Sequence, residues 1–214
     1  MIRFWNIFTK ITAWPLQWLC FRTRIYYEDK NVQSRRIKGP AIVICNHTSV
    51  FDYAVLLFVF FSRTVRYQMA EVLFDKKPLG TLLRLLGGIK VDRNSHNYGY
   101  MTVCEDILSD GGVVGIFPEG RIPKDDETRP LEFRDGAAYL ALYGNVPIIP
   151  VYTNGSYFQK RHASVIIGKP VNVNDLTDID NDDLTDKEKI KIITGSLREK
   201  IILLGEELTK RDER

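Results

Sequence analysis

This sequence predicts a single α/β domain, on three observations. Short β-branched apolar runs such as AIVICN (41–46) recur along the chain. Between them lie segments whose apolar residues follow helical rather than alternating spacing. Glycines and prolines mark the changeovers, and no internal repeat or low-complexity linker interrupts the series. Strand–helix alternation of this kind builds a sheet with helices layered on its faces. The 214 residues, 44% of them hydrophobic, suffice for one sizeable core.

The first segment, residues 1–30, stands apart from the domain proper at 31–214. All three tryptophans (Trp5, Trp14, Trp18) sit there beside Phe4, Ile7, Phe8, Ile11, Leu16, Leu19 and Phe21. Residues 1–38 carry eight Lys/Arg against Glu28 and Asp29, a charge of +6, so 39–214 carry −3 of the chain's +3. Tryptophan, basic residues and bulky apolar residues together are the composition of an amphipathic helix lying among lipid headgroups. The basic end on a mildly acidic body points to an anionic lipid surface as partner. The apolar stretch 13–21 is broken by Pro15 and Gln17, and falls short of the roughly 20 residues a spanning helix needs. No small-residue cleavage site follows it, so a signal peptide is not expected. The plainer alternative is a helix packed on the core.

The remaining elements follow in order. AIVICN, entered through Gly39-Pro40, reads as a buried strand. Apolar residues from 49 to 62 are too continuous for an alternating strand and predict a buried helix. A second strand is expected at 64–70, a glycine-closed helix at 79–88 and a short strand at 89–93. A helix at 97–110 stops at Gly111-Gly112, and a strand from 113 runs into a turn by 120. A helix over 133–145 ends at Gly-Asn and leads into the strand of VPIIPVYTNG (146–155), with another strand at 164–171. From Thr185 onward, Ile190, Ile193, Leu197, Ile201, Leu204 and Leu208 step by 3, 4, 4, 3 and 4, the stripe of an amphipathic helix.

Several classes drop out early. Cys20, Cys45 and Cys104 are odd in number and far apart, which argues against a disulfide framework and suits a reducing compartment. His47, His96 and His162 are scattered, and no Cys/His spacing suits a metal, so none is expected. The acidic body and the lack of a nucleic-acid-binding motif set nucleic acid aside.

In an α/β sheet the loops at strand ends carry the chemistry. Four polar clusters fall there: 46–52, Asp92-Arg93, 119–121 and the region of Pro150. The first interrupts an apolar run with Asn46, His47, Thr48 and Ser49. Five positions on one helix are about 140° apart at 100° per residue, so His47 and Asp52 do not meet within a single regular helix. They meet if His47 lies in the loop and Asp52 in the first turn, with Thr48 or Ser49 as N-cap. The carboxylate would then fix the imidazole tautomer and leave the other nitrogen to accept a proton. The competing reading is a cap in which Asp52 merely satisfies helix-end amides. FPEGR (117–121) makes a rigid turn whose amides and Arg121 suit an anion, or else a surface turn with an ion pair.

NHTSVFD, with His47 and Asp52, resembles the H-x4-D signature of the glycerolipid acyltransferases, specifically the 1-acylglycerol-3-phosphate acyltransferase family. GGIKVDR, ending in Arg93, is similar to that family's second block. FPEGR is similar to the third, EFRDGAAYLAL to the basic-x-Gly-Ala helix after it, and VPIIPVYTNG to the fourth. The blocks occur in family order over about residues 38–155. The third block usually reads F-P-E-G-T-R; here the Thr is missing and Arg121 follows Gly120 directly.

The resemblance implies a central, mixed, mostly parallel β-sheet flanked by helices. It implies transfer of a fatty acyl group from an acyl thioester, on CoA or acyl carrier protein, to the sn-2 hydroxyl of lysophosphatidate, giving phosphatidate. His47 would be the general base and Asp52 its orienting partner, while Asn46, Arg93, Glu119, Gly120 and Arg121 would bind substrate. Backbone amides around the H-x4-D turn would form an oxyanion hole. A thioester is already activated, so no metal or cofactor is required. Residues 54–61 would line an acyl pocket or belong to a plain core helix. The expected location is peripheral or monotopic on the cytoplasmic face of the cell membrane. Two alternatives stand beside this: the same chemistry on another lysophospholipid or a lipid amine, and a non-catalytic membrane lipid-binding protein, which would not need His47 with Asp52.

Overall fold

A computed structural model describes residues 1–92, 98–159, 162–176 and 184–213. Its strands are β1 (Arg24–Tyr27), β2 (Ala41–Cys45), β3 (Val65–Ala70), β4 (Ile89–Val91), β5 (Val113–Ile116), β6 (Ile148–Thr153) and β7 (Ser164–Ile167). They form one sheet in the order β1-β7-β6-β2-β5-β3-β4. Neighbours are parallel except β6 and β7, which pair antiparallel, so the sheet is mixed and mostly parallel as expected. The helices are α1 (Ile2–Thr12), α2 (Trp14–Phe21), α3 (Asp52–Val59), α4 (Val72–Asp75), α5 (Leu79–Leu86), α6 (Gly99–Ser109), α7 (Gly136–Gly144) and α8 (Asp186–Asp212).

The pleat divides the apolar side chains between two cores. On β2, Ala41, Val43 and Cys45 face a core shared with α3 and α5, while Ile42 and Ile44 face one shared with α6, α7 and α8. A strand covered on both faces reads as a continuous apolar run, which is why AIVIC shows no alternation. Helix α8 buries Ile193, Leu197, Ile201, Leu204 and Leu208, the stripe read from its spacing. A capping box between Thr185 and Glu188 sets its start.

Three elements differ from expectation. The N-terminal segment is two helices, broken at Ala13, with Pro15 in the first turn of α2 where a missing N–H costs nothing. Residues 24–27 form edge strand β1, paired with β7 from Arg24↔Ser164 to Tyr27↔Ile167, so the sheet reaches back into the 1–30 segment. Helix α3 begins at Asp52 rather than 49, because the amides of Thr48 and Ser49 turn inward to the Asp52 carboxylate. Neither Thr48 nor Ser49 is the N-cap; that position is Phe51, with no side-chain cap.

Helix α1 is packed inside out. Asn6 and Lys10 are buried, whereas Phe4 and Ile11 are 65% and 62% exposed. Asn6 donates to the Leu86 carbonyl at the end of α5. The Lys10 ammonium reaches the carbonyls of Phe60 (3.0 Å), Phe61 (3.2 Å) and Arg63 (2.7 Å), just past α3. Trp14, Leu16, Trp18 and Leu19 of α2 continue the exposed apolar surface. No helix among the described residues is long and apolar enough to cross a membrane.

Candidate active site

The site begins where β2 ends. Asn46 extends the β2–β6 pairing by one side-chain rung: its amide donates to the Thr153 carbonyl at 3.0 Å and accepts from the Thr153 N–H at 2.8 Å. That anchor, buried at the end of β6, fixes where the chain leaves the sheet and sets His47 at the start of the loop. Asn46 was expected to bind substrate; its amide is engaged with backbone.

His47 Nδ1 lies 2.7 Å from Asp52 Oδ2. The ring stacks on Phe117 at 4.3 Å between centroids and 17° between planes. The His47 backbone N–H donates to Glu119 Oε1 at 2.7 Å. Asp52, opening α3, is fully buried and accepts five hydrogen bonds. Besides His47, Oδ2 takes the N–H groups of Thr48 (2.7 Å) and Ser49 (2.9 Å). Oδ1 takes the hydroxyls of Thr48 (2.7 Å) and Tyr157 (2.6 Å). A buried carboxylate is tolerable only when its lone pairs are matched in this way. Burial, with the Asp52 charge beside it, pushes the Tyr157 hydroxyl well above its ordinary value, so it stays a donor. Asp52, acceptor-only when ionised, then accepts a hydrogen bond from Nδ1–H and leaves Nε2 as the basic nitrogen. The one carboxylate both satisfies the amides of the preceding loop and holds the imidazole.

Glu119 ties the loop after β2 to two points of the long β5–α7 connection. Oε2 accepts from the Leu131 N–H at 2.9 Å while Oε1 holds His47. Burial raises its carboxyl above the usual range, against the opposing pull of those two amides. At Gly120, φ is +71°, and a Cβ would lie 2.5 Å from Arg134 Nε, so glycine lets the Arg134 side chain lie against the turn. Arg121 turns away, gripping Glu127 with two bonds of 2.6 and 2.5 Å. Arg93 lies outside the described residues. The amides of His47, Thr48 and Ser49 are all spent on carboxylates, so they do not form the oxyanion hole expected of this turn.

Two cavities meet here. One of about 710 Å³ is mainly apolar and runs under α2, α3 and α5. Ala54, Leu57 and Phe58 of α3 line it, while Val55, Leu56, Val59 and Phe60 belong to the core, so 54–61 divides between cavity wall and core. The other, of about 120 Å³, is lined by polar groups including Thr48, Glu119, Arg129 and Asn154. His47 lines both. Tyr157, Phe117 and Arg134 join the site without having been expected there. No spacing rule connects position 157 to position 52; the basic-x-Gly-Ala pattern did single out the stretch holding Arg134. Among the described residues no group of His, Cys, Asp and Glu is placed to hold a metal.

The fold is that of an acyltransferase of known structure. The crystal structure of the 1-acyl-sn-glycerophosphate (LPA) acyltransferase from Thermotoga maritima superposes with a TM-score of 0.65 at 18% identity, covering 94% of this chain and 78% of that one. The Acyltransferase family model matches residues 24–154, and the chain belongs to that family. The 1-acyl-sn-glycerol-3-phosphate acyltransferase of Bacillus subtilis is 26% identical over 165 residues, 75% of this chain and 78% of the relative. Human 1-acyl-sn-glycerol-3-phosphate acyltransferase beta is 29% identical over 180 residues, 82% of this chain and 63% of the relative. The chain thus spans less than two thirds of the human protein.

Proposed function

We propose that this protein moves a fatty acyl group from an acyl thioester, on CoA or acyl carrier protein, to the sn-2 hydroxyl of lysophosphatidate. The observation that carries the reading is His47, held at 2.7 Å by Asp52 and lining both a mainly apolar cavity and a smaller one of mixed polarity. The names of the relatives support the acceptor. His47 Nε2 takes the hydroxyl proton as that oxygen attacks the thioester carbonyl. The tetrahedral adduct collapses, expelling the thiolate, which recovers the proton from the imidazolium. Asp52 steadies that imidazolium. General-base assistance of this kind contributes about 10²–10⁴-fold. Glu119 supports the base through its backbone, and Gly120 leaves room for Arg134 beside the large cavity.

The outward apolar faces of α1 and α2, with the basic charge of the same segment, suit peripheral attachment to an anionic membrane on its cytoplasmic face. Removing residues 1–21 should release the protein from anionic vesicles in a sedimentation assay; unchanged sedimentation would refute the attachment.

The direct test is thiol release from a long-chain acyl thioester plus lysophosphatidate, comparing wild type with His47→Ala. Release by wild type alone supports the reading; release by both rules out His47 as base. A second reading rests on Arg121. Its engagement with Glu127 takes it from the site and favours an acceptor whose headgroup is not a bare phosphomonoester, another lysophospholipid or a lipid amine. The same assay across such acceptors, with faster turnover than on lysophosphatidate, would select it.

A further inference from the structure

The two cavities at His47 differ in more than size. The large one is bordered by α2 and by Val50, Phe51 and Phe158, all exposed apolar side chains. The small one borrows no residue from α1 or α2 and none from that apolar rim. Among the described residues its charged walls are Glu119 and Arg129, one of each sign, and the rest of its described polar lining is neutral: Asn46, Thr48, Tyr152 and Asn154 beside His47. His47 is the one residue common to both linings.

A thioester of a pantetheine-type carrier is divided at its carbonyl in the same way. One side is an alkyl chain; the other is sulfur, two methylenes and a secondary amide. We propose that the small polar pocket receives the amide arm of the thioester donor, with the acyl chain in the large cavity and the carbonyl at His47. The proposal rests on the acyl-transfer reading above. Three observations favour the donor's arm over the acceptor's headgroup. The two formal charges among the pocket's described residues are opposite, which suits a neutral amide, whereas a phosphate dianion would face the Glu119 carboxylate. A volume of about 120 Å³ leaves room for a short chain segment and its amide. The pocket also shares none of its lining with the apolar rim, as suits the arm of a water-borne carrier better than a membrane lipid.

The test uses two palmitoyl thioesters, of N-acetylcysteamine and of butanethiol, which share the acyl carbonyl but differ in the arm's amide. Wild type should use the amide-bearing donor at least about tenfold better in kcat/KM, the scale of one well-made hydrogen bond. Arg129 is 47% exposed, so a larger side chain there can be accommodated and would fill the pocket's mouth. Arg129→Trp should abolish the preference with the KM for lysophosphatidate unchanged, whereas Arg129→Ala should keep it. No preference in wild type overturns the proposal. So does an Arg129→Trp enzyme whose acceptor KM rises while its donor KM does not, because the pocket then holds the headgroup. Equilibrium titration with the corresponding non-transferable palmityl thioethers separates this idea from the activity itself. Amide-selective binding without turnover on lysophosphatidate supports the pocket and sinks the acceptor; turnover without amide selectivity does the reverse.

Discussion

Helix α3 is held by charge at both ends, and the two ends do different work. At its start the Asp52 carboxylate gathers His47, two amides and two hydroxyls. At its finish the Lys10 ammonium and the Arg35 guanidinium collect the carbonyls of residues 58–61 and 63, with Arg35 reaching Phe58 and Val59 at 2.7 Å each. Both arrangements obey the same rule: anions suit the positive end of a helix, cations the end with unsatisfied carbonyls. At the first end the charge orients the His47 imidazole. At the second it fastens α1, whose outward face is apolar, to the body of the enzyme. One short helix therefore joins the chemistry to the surface that would meet lipid.

The comparison is broken most severely at the first end. Asp52→Asn keeps the shape but replaces an acceptor with an amide that can no longer stabilise an imidazolium. Turnover should fall by about 10²–10⁴-fold, the range of general-base assistance, with the fold retained by circular dichroism. A loss under tenfold would mean that Asp52 is chiefly a loop brace. Tyr157→Phe should act in the same direction and more weakly. It removes one of five donors, so kcat should drop by about tenfold, the effect of one hydrogen bond to a charged group, while KM for both substrates stays put. A raised KM with unchanged kcat would assign Tyr157 to substrate contact instead.

The two ends also differ in how readily the sequence betrays them. His47 and Asp52 lie within one loop-and-turn, so local geometry, 100° per residue and a strand followed by a helix, brings them together. The parallel sheet was legible for a similar reason, since buried strands and amphipathic helices carry their signal in short windows; the stripe of α8 is the clearest case. Lys10 meets Arg63 across 53 positions and Tyr157 meets Asp52 across 105, and no local pattern encodes either contact. Strand β1 was missed because its residues are only half-covered at the sheet's edge and follow a segment that reads as membrane-seeking. The burial of Lys10 inverted the usual inference: a periodic apolar face normally turns inward, and here the polar residues do.

At the second end the expected losses concern stability. Lys10→Met keeps the methylenes but leaves the carbonyls of Phe60, Phe61 and Arg63 without their ammonium. Chemical denaturation should show a loss of about 1–3 kcal/mol, the cost of stranding buried acceptors, and kcat on a short-chain, water-soluble acceptor should hardly change. A large fall in kcat would show that the two ends of α3 are coupled rather than independent.

The smallest effect is a change of slope with pH. Burial, and then the neighbouring Arg35 charge, hold the Lys10 ammonium down at about 8 from 10.5. Below about pH 8 both folded and unfolded chains carry the proton, and the folded state bears the full cost of burying the charge. Between about 8 and 10.5 the folded chain has released the proton while the unfolded chain retains it. The unfolded state then binds more protons, so this group's contribution to stability rises with pH. The gap between wild type and Lys10→Met should widen by on the order of 1 kcal/mol from pH 7 to 9.5. The neutral amine still donates two hydrogen bonds, which is why release of the proton does not undo the anchor. A gap that stays constant or narrows would show that three carbonyls stabilise the ammonium more than burial penalises it, and α1 would then be fastened by a permanent charge.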